Sequence, residues 1–245
     1  MNIKSVNKEI GTMYEKREGN TVAFDVSSYA DYPFNSLSPF HYSKDFEIPV
    51  PGMKGKYSNS VEGIWQGLKI IEGETDERLF NKKPKKRKGI VQGHKFGDDI
   101  LGLVEARWNI FLPSYNFYLD EYASEDALSA ILKKQREGKT IYLYDVEDND
   151  DIRDPRPYAH SAALSTYLNL KVFNKKLKPM NEAEERLFGI LDSDKRLDEK
   201  IDMIEPLLFE EEIFNAFKLR CVEHPPGLDD YRIAKYFGYG AGKDD

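Results

Sequence analysis

Hydrophobic positions along this 245-residue chain follow a helical period in several stretches and alternate in two. From Ser60, the residues Val61, Ile64, Leu68 and Ile71 fall on one broad side of a 3.6-residue wheel, so "YSNSVEGIWQGLKIIEG" (57–73) predicts an amphipathic helix. "NTVAFDVSS" (20–28) and "KTIYLYDV" (139–146) read as strands, rich in β-branched and aromatic residues. "GDDILGLVEARWNIFLPSYNFYLDE" (97–121) predicts a largely buried helix up to Pro113 and a second piece after it, with Asp98 or Asp99 at the start, where the helix dipole favours acid. "SEDALSAILKKQREG" (124–138) has Ser124 as N-cap, acids first, cations last and Gly138 as stop. "YAHSAALSTYLNLKV" (158–172) is a further helix.

After Lys175 the pattern becomes acidic and helical. Asn181 with Glu184 forms a capping box, and 198–224 is helical with a break at Pro206. The expected fold is α+β and helix-rich. It has one domain with a small sheet over residues 1–175 and an acidic helical extension over 176–245 packed on it.

Between the first strand and the 57–73 segment lies a long loop with Pro33, Pro39, Pro49, Pro51, Gly52 and Gly55. It also carries Tyr29, Tyr32, Phe34, Phe40, Tyr42 and Phe46, too many aromatics for a solvated linker, and a loop that packs itself down this way is often a binding loop. The formal charge of −7 argues against general nucleic-acid binding. A local basic run, Lys82, Lys83, Lys85, Lys86, Arg87 and Lys88, reads as a solvated loop or as a clamp for phosphates. One cysteine, Cys221, excludes an internal disulfide and reads as a buried thiol. No apolar run reaches the roughly 18–20 residues of a membrane span, so a cytoplasmic protein is expected. The scattered histidines, His41, His94, His160 and His224, predict no zinc site, and no cofactor is expected. "GYGAGKDD" at the C-terminal end lacks phosphate-loop spacing.

The polar side of the 57–73 helix carries the candidate chemistry. Glu62, Gln66 and Lys69 fall at i, i+4 and i+7 in one stripe beside Trp65. Glu62 can alternatively pair with Asn59 as a capping box. Gly63 and Gly67 each cost about 1 kcal/mol against Ala in a helix interior. They imply room either for a ligand or for another segment's backbone.

The loop residues Phe34, Leu37, Ser38 and Phe40 and the block Tyr57, Ser60, Val61, Glu62, Gln66 and Lys69 resemble the signature of the NADAR family (NAD- and ADP-ribose-associated proteins), an aromatic "F-x-x-LSNF" loop followed by "Y-x-SVEHAYQ-x-x-K". The branch resembled is a bacterial or phage one that carries "SVEGIWQGLK". "GHKFG" (93–97) stands where that family has a "GR" element. Pro39 and Gly63 replace the family's Asn and His, and its "WG-x-G" ending has no counterpart. The resemblance implies an N-glycosidase that hydrolyses an N-ribosyl bond in an ADP-ribose-type nucleotide, free or on nucleic acid held by the basic run. The alternatives are a catalytically inactive nucleotide-binding module and a phage accessory interaction protein.

The implied roles are Glu62 as the carboxylate near C1″, Lys69 on a phosphate or the leaving group, and Gln66 on a ribose hydroxyl. Trp65, Phe34 or Phe40 would stack on a base, with Ser38 and Ser60 in the binding surface. The acidic loop after the 139–146 strand would supply a second carboxylate, Asp145 or Asp148, the family pattern favouring Asp148 or Asp151. His94 would contact phosphate or act as an acid, unless it is an ordinary loop histidine.

Overall fold

Residues 140–144 form the middle strand of the main sheet because every second side chain is apolar and buried. A computed structural model describes residues 3–174, 182–223 and 228–239. In chain order it contains β1 (Ile3–Ser5), α1 (Lys8–Glu15), β2 (Thr21–Asp25), β3 (Ile48–Pro49), β4 (Tyr57–Ser58), α2 (Val61–Leu68), β5 (Lys69–Ile71), β6 (Val91–Phe96) and β7 (Asp99–Leu101). Then follow α3 (Leu103–Ala106), α4 (Leu112–Glu121), α5 (Glu125–Arg136), β8 (Thr140–Tyr144), α6 (His160–Asn174), α7 (Glu182–Leu191), α8 (Leu197–Ile204), α9 (Glu211–Phe217) and α10 (Leu228–Tyr236). The fold is α+β and helix-rich, with small sheets and a helical C-terminal region.

The main sheet has the order β1-β8-β2, with both pairings parallel. Ile141 and Leu143 point into the core, while Tyr142 and Tyr144 face α1. Tyr142 packs edge-on against Tyr14 at 5.0 Å. Gly11 admits the Tyr144 ring: a Cβ there would lie 2.1 Å from it, so only glycine lets α1 approach this closely. A two-stranded ladder, β3-β4, braces the long loop. The antiparallel sheet β5-β6-β7 stands beside α2 and sets Lys69 opposite His94. One buried cluster gathers Leu37, Ile64, Leu68, Tyr115, Tyr118, Ile141 and Leu168 among others.

The chain divides into two units, residues 1–169 and 170–245. The second unit has its own core, with Leu187, Ile204, Ile213, Phe217 and Ile233 buried and Cys221 among them. As expected, its helices break at Pro206, where Glu205–Leu207 forms a 3-10 turn. The capping box at Asn181 and the "GYGAGKDD" segment, from Gly240 on, lie outside the described residues. Among the described residues no helix is long and apolar enough to cross a membrane.

Three expectations are corrected. The 57–73 segment is helical only over Val61–Leu68. Lys69 turns extended (ψ 133°), and Ile70 and Ile71, β-branched, continue as strand β5. Asp98 and Asp99 do not start a helix: they belong to the β6–β7 hairpin, and the helix begins after Gly102. From there it runs through Pro113, which stands in the first turn of α4, because a single π turn, Arg107–Phe111, shifts the register before it.

Candidate functional site

α2 enters the core on three apolar residues and presents its opposite side to a cleft of about 410 Å³. Ser60 caps the helix, its Oγ accepting from the Gly63 N–H at 3.0 Å. Asn59 is not the cap. Its amide donates to the carbonyls of Lys44 and Phe46 and ties down the long loop. Glu62 therefore has no capping role. Its backbone N–H donates to the Pro39 carbonyl, which joins the helix to the aromatic loop, and its side chain is buried at the cleft.

A directed chain of hydrogen bonds fixes that side chain. The Arg87 backbone N–H donates to Gln66 Oε1 at 2.9 Å, so the other end of the Gln66 amide must be its NH2, which donates to Glu62 Oε1 at 2.6 Å. Burial raises the Glu62 pKa, and the Gln66 bond and the charges of Lys69, Lys86 and His160 pull it back. The Arg87 guanidinium meanwhile bonds the carbonyls of Gln66 and Lys69 at the end of α2 and that of Glu74 beyond β5. Arg87 thus holds the helix and is not available as a phosphate clamp. Lys86 pairs with Glu147 at 3.1 Å across the cleft mouth, while Lys82, Lys83, Lys85 and Lys88 are exposed.

The glycines answer to packing. A Cβ on Gly63 would lie 2.8 Å from the Leu79 carbonyl, and one on Gly67 would lie 2.4 Å from the Phe80 ring. The room they create is taken by the 3-10 turn Glu77–Asn81 and not by a ligand.

His94 is a strand residue and not a loop histidine. It is 1% exposed and stacks on Trp65 at 4.0 Å, and neither ring nitrogen has a hydrogen-bond partner among the described residues. Burial, with the charges of Lys69 and Arg107, lowers its pKa to about 3. The imidazole is therefore neutral at ordinary pH. It carries no charge to attract phosphate and no imidazolium proton to give, and its one N–H is the donor it can offer in the cleft. Lys69 stands beside it in the ladder, with its ammonium 5.8 Å from the Trp65 ring, and burial lowers its pKa.

The far wall comes from the segment after β8 and from the π turn. Arg107, 3% exposed, donates to the carbonyls of Ile152, Asp154 and Arg156, each at 2.6 Å. It lies 5.7 Å from the Tyr158 ring. One cation thus shapes the whole acidic loop, whose acids turn outward. Asp151 holds Arg153, and Asp154 holds Arg156. Asp148 is exposed, pairs with Arg156 at 3.3 Å and does not line the cleft. Asp145 is buried but stands behind the wall, 2.9 Å from His160 Nδ1, and His160 is the residue that lines the cleft.

Of the residues singled out in the sequence, the cleft gathers Phe40, Glu62, Trp65, Gln66, Lys69, Lys86 and His94. Phe34 packs on Phe24 at 5.1 Å, Ser38 Oγ accepts from the Phe40 N–H, and Ser60 is a cap, so these three shape the loop and helix without lining the cleft. Arg107, Phe111, Tyr158 and His160 line it without having been anticipated, and Glu147 reaches it from the acidic loop expected to supply a carboxylate. The one available signal was the carboxylate Asp145 just after a strand, fifteen residues before a histidine that opens a helix.

Every cleft-lining residue falls within residues 6–164, which match the model of DUF6939, a family of unknown function, and the chain belongs to that family. No curated protein and no solved structure matches it.

Proposed function

We propose that this member of the DUF6939 family is an N-glycosidase that hydrolyses an N-ribosyl bond in an ADP-ribose-type or related nucleotide. The observation that carries the reading is Glu62: a buried carboxylate at the cleft, oriented by a directed amide and raised in pKa by burial. A carboxylate whose pKa is raised by burial is the stronger base, which suits activation of water. Water attacks C1″ as the C1″–N bond breaks, the electron pair leaves with the nitrogen, and Glu62 accepts the water's proton. The oxocarbenium-like transition state is stabilised by the same carboxylate.

The walls fit such a substrate. Phe40, Trp65 and Phe111 offer aromatic surface for a base, and Lys69 and Lys86 offer positive charge for phosphates. The resemblance of the Phe34–Phe40 loop and the Tyr57–Lys69 block to the NADAR pattern supports the same chemistry. The test is mass spectrometry after incubation with ADP-ribosylated guanosine DNA, NAD and a ribosylamino-pyrimidine phosphate. The expected result is release of free ribose phosphate or ADP-ribose that is lost in Glu62→Gln. Intact substrates throughout, with folded protein, would overturn the reading.

A second reading, a binding module without turnover, is favoured by Gly63, which packs on the Leu79 carbonyl where the NADAR pattern carries a histidine. It predicts thermal stabilisation by ADP-ribose with no product.

A further inference from the structure

His160 opens α6 at the cleft wall, and both of its ring nitrogens are committed. Nδ1 lies 2.9 Å from Asp145 Oδ2, and Nε2 lies 2.8 Å from the Val26 carbonyl oxygen. Neither partner has a hydrogen to give. A peptide carbonyl only accepts. The Asp145 carboxyl already accepts the Ser161 N–H at 2.9 Å on Oδ2 and the Glu147 N–H at 2.5 Å on Oδ1, an environment that holds it ionised. A neutral imidazole has one donor and one acceptor, so either tautomer would set a lone pair against an oxygen. Only the imidazolium, with two donors, satisfies both contacts.

The surroundings agree. Glu62 lines the same cleft as His160, and the Tyr115 ring meets His160 edge-on at 6.4 Å with its hydroxyl donating to the Leu37 carbonyl. The cations that share the cleft are Lys69, Lys86 and Arg107. Of these, Lys86 is paired with Glu147, and Arg107 is turned to the carbonyls of 152–156. Although burial works against the charge, Asp145, the Val26 carbonyl and Glu62 together raise the His160 pKa above its ordinary value.

We propose that His160 is a standing imidazolium that never passes its proton to a ligand, and that its positive charge, added to those of Lys69 and Lys86 in the same cleft, favours the carboxylate form of the buried Glu62. His160 is then a positioning residue that acts through Glu62. Donation to a leaving group would strip a bond from Asp145 or from Val26. The charge state stands on geometry alone; its consequence for turnover rests on the N-glycosidase reading.

The experiment is NMR of the full chain with 15N-labelled histidine and 13C-carboxyl-labelled glutamate, without substrate, from pH 5 to 9. One histidine, identified by Overhauser contact with the Tyr115 ring, should keep both nitrogens protonated above pH 6.5, the ordinary value. In Asp145→Asn the same ring should lose a proton at or below that value, and the Glu62 carboxyl should titrate at higher pH than in the parent. A His160 ring that is a neutral tautomer at pH 7 overturns the proposal, as does a Glu62 titration unmoved by Asp145→Asn when His160 has lost its charge. Should the variant fail to fold, the parent's His160 spectrum alone decides. If both titrations behave as stated and no substrate is turned over, the N-glycosidase reading fails and the charge assignment stands. If turnover is found, the acidic limb of kcat/KM should shift upward in Asp145→Asn, and an unshifted limb overturns the link to Glu62.

Discussion

Replacing Glu62 with Gln should stabilise the protein at neutral pH while removing turnover. The two side chains are the same size, and the new amide oxygen can go on accepting from Gln66 Nε2, now 2.6 Å from the carboxylate. What is lost is attraction to Lys69, Lys86 and His160; what is gained is relief from burying a charge. Burial is the larger effect, because the folded pKa is raised. The sign follows from linkage. The unfolded chain ionises Glu62 first, so the penalty is absent below the ordinary value of about 4.5, grows as pH rises to the folded pKa, and is constant above it. The variant and its parent should therefore melt together at pH 4 and diverge by pH 7, with the variant ahead. A buried polar group short of full compensation costs about 1–3 kcal/mol. At about 2–4 °C per kcal/mol for a domain of this size, the gain in Tm is roughly 2–12 °C. Loss of a general base costs about 10²–10⁴ in rate. Calorimetry at the two pH values, beside a product assay, reads both effects. A variant less stable than its parent at pH 7, or equally displaced at both pH values, would refute the burial argument.

Other variants separate packing from chemistry. His94→Phe keeps the stack on Trp65 and removes two unpartnered nitrogens, so it should raise stability by about 1–2 kcal/mol in a urea titration; a loss of that size would show that the nitrogens are satisfied in solution. Arg87→Met removes the guanidinium from the carbonyls of Gln66, Lys69 and Glu74 and should cost about 2–3 kcal/mol, against less than about 0.5 kcal/mol for Lys85→Met; equal effects in thermal melts would make the basic run a uniform surface. Asp148→Ala breaks only an exposed pair with Arg156 and should change stability by no more than about 0.5 kcal/mol and leave any catalytic rate intact, so a rate loss above tenfold would return Asp148 to the site.

The sequence pattern reached those features that depend on local period and local chemistry. Ser124 and Gly138 bound α5 as a cap and a left-handed stop should, and the alternation of 140–144 sets Ile141 and Leu143 inward. Glu62, Trp65 and Gln66 share the cleft side of α2 because a short helix keeps its period. Features that depend on distant partners were not legible. Lys69 reaches the same cleft from a strand, since Ile70 and Ile71 gain more from the β6 ladder than from another helical turn. The β5-β6-β7 sheet was missed because its strands are short and broken by Gly93 and Gly97, whose positive φ serves hairpin and packing geometry. Arg107 and His160 each look ordinary in sequence. Their roles come from carbonyls and a carboxylate that the chain brings to them only when folded.

The strand order β1-β8-β2 also bears on how the protein is made. Among the described residues both N-terminal strands pair only with β8, and 119 residues must be added after the end of β2 at Asp25 to complete β8 at Tyr144. At roughly 5–20 residues per second the ribosome needs about 6–24 s to span that interval. Throughout it Ile3, Val22 and Phe24 have neither the ladder nor the core that covers them in the finished fold. A chain released before residue 140 loses not one strand but the entire main sheet. Premature termination or slow translation upstream of β8 thus leaves two uncovered strand edges to be shielded by a chaperone or met by aggregation.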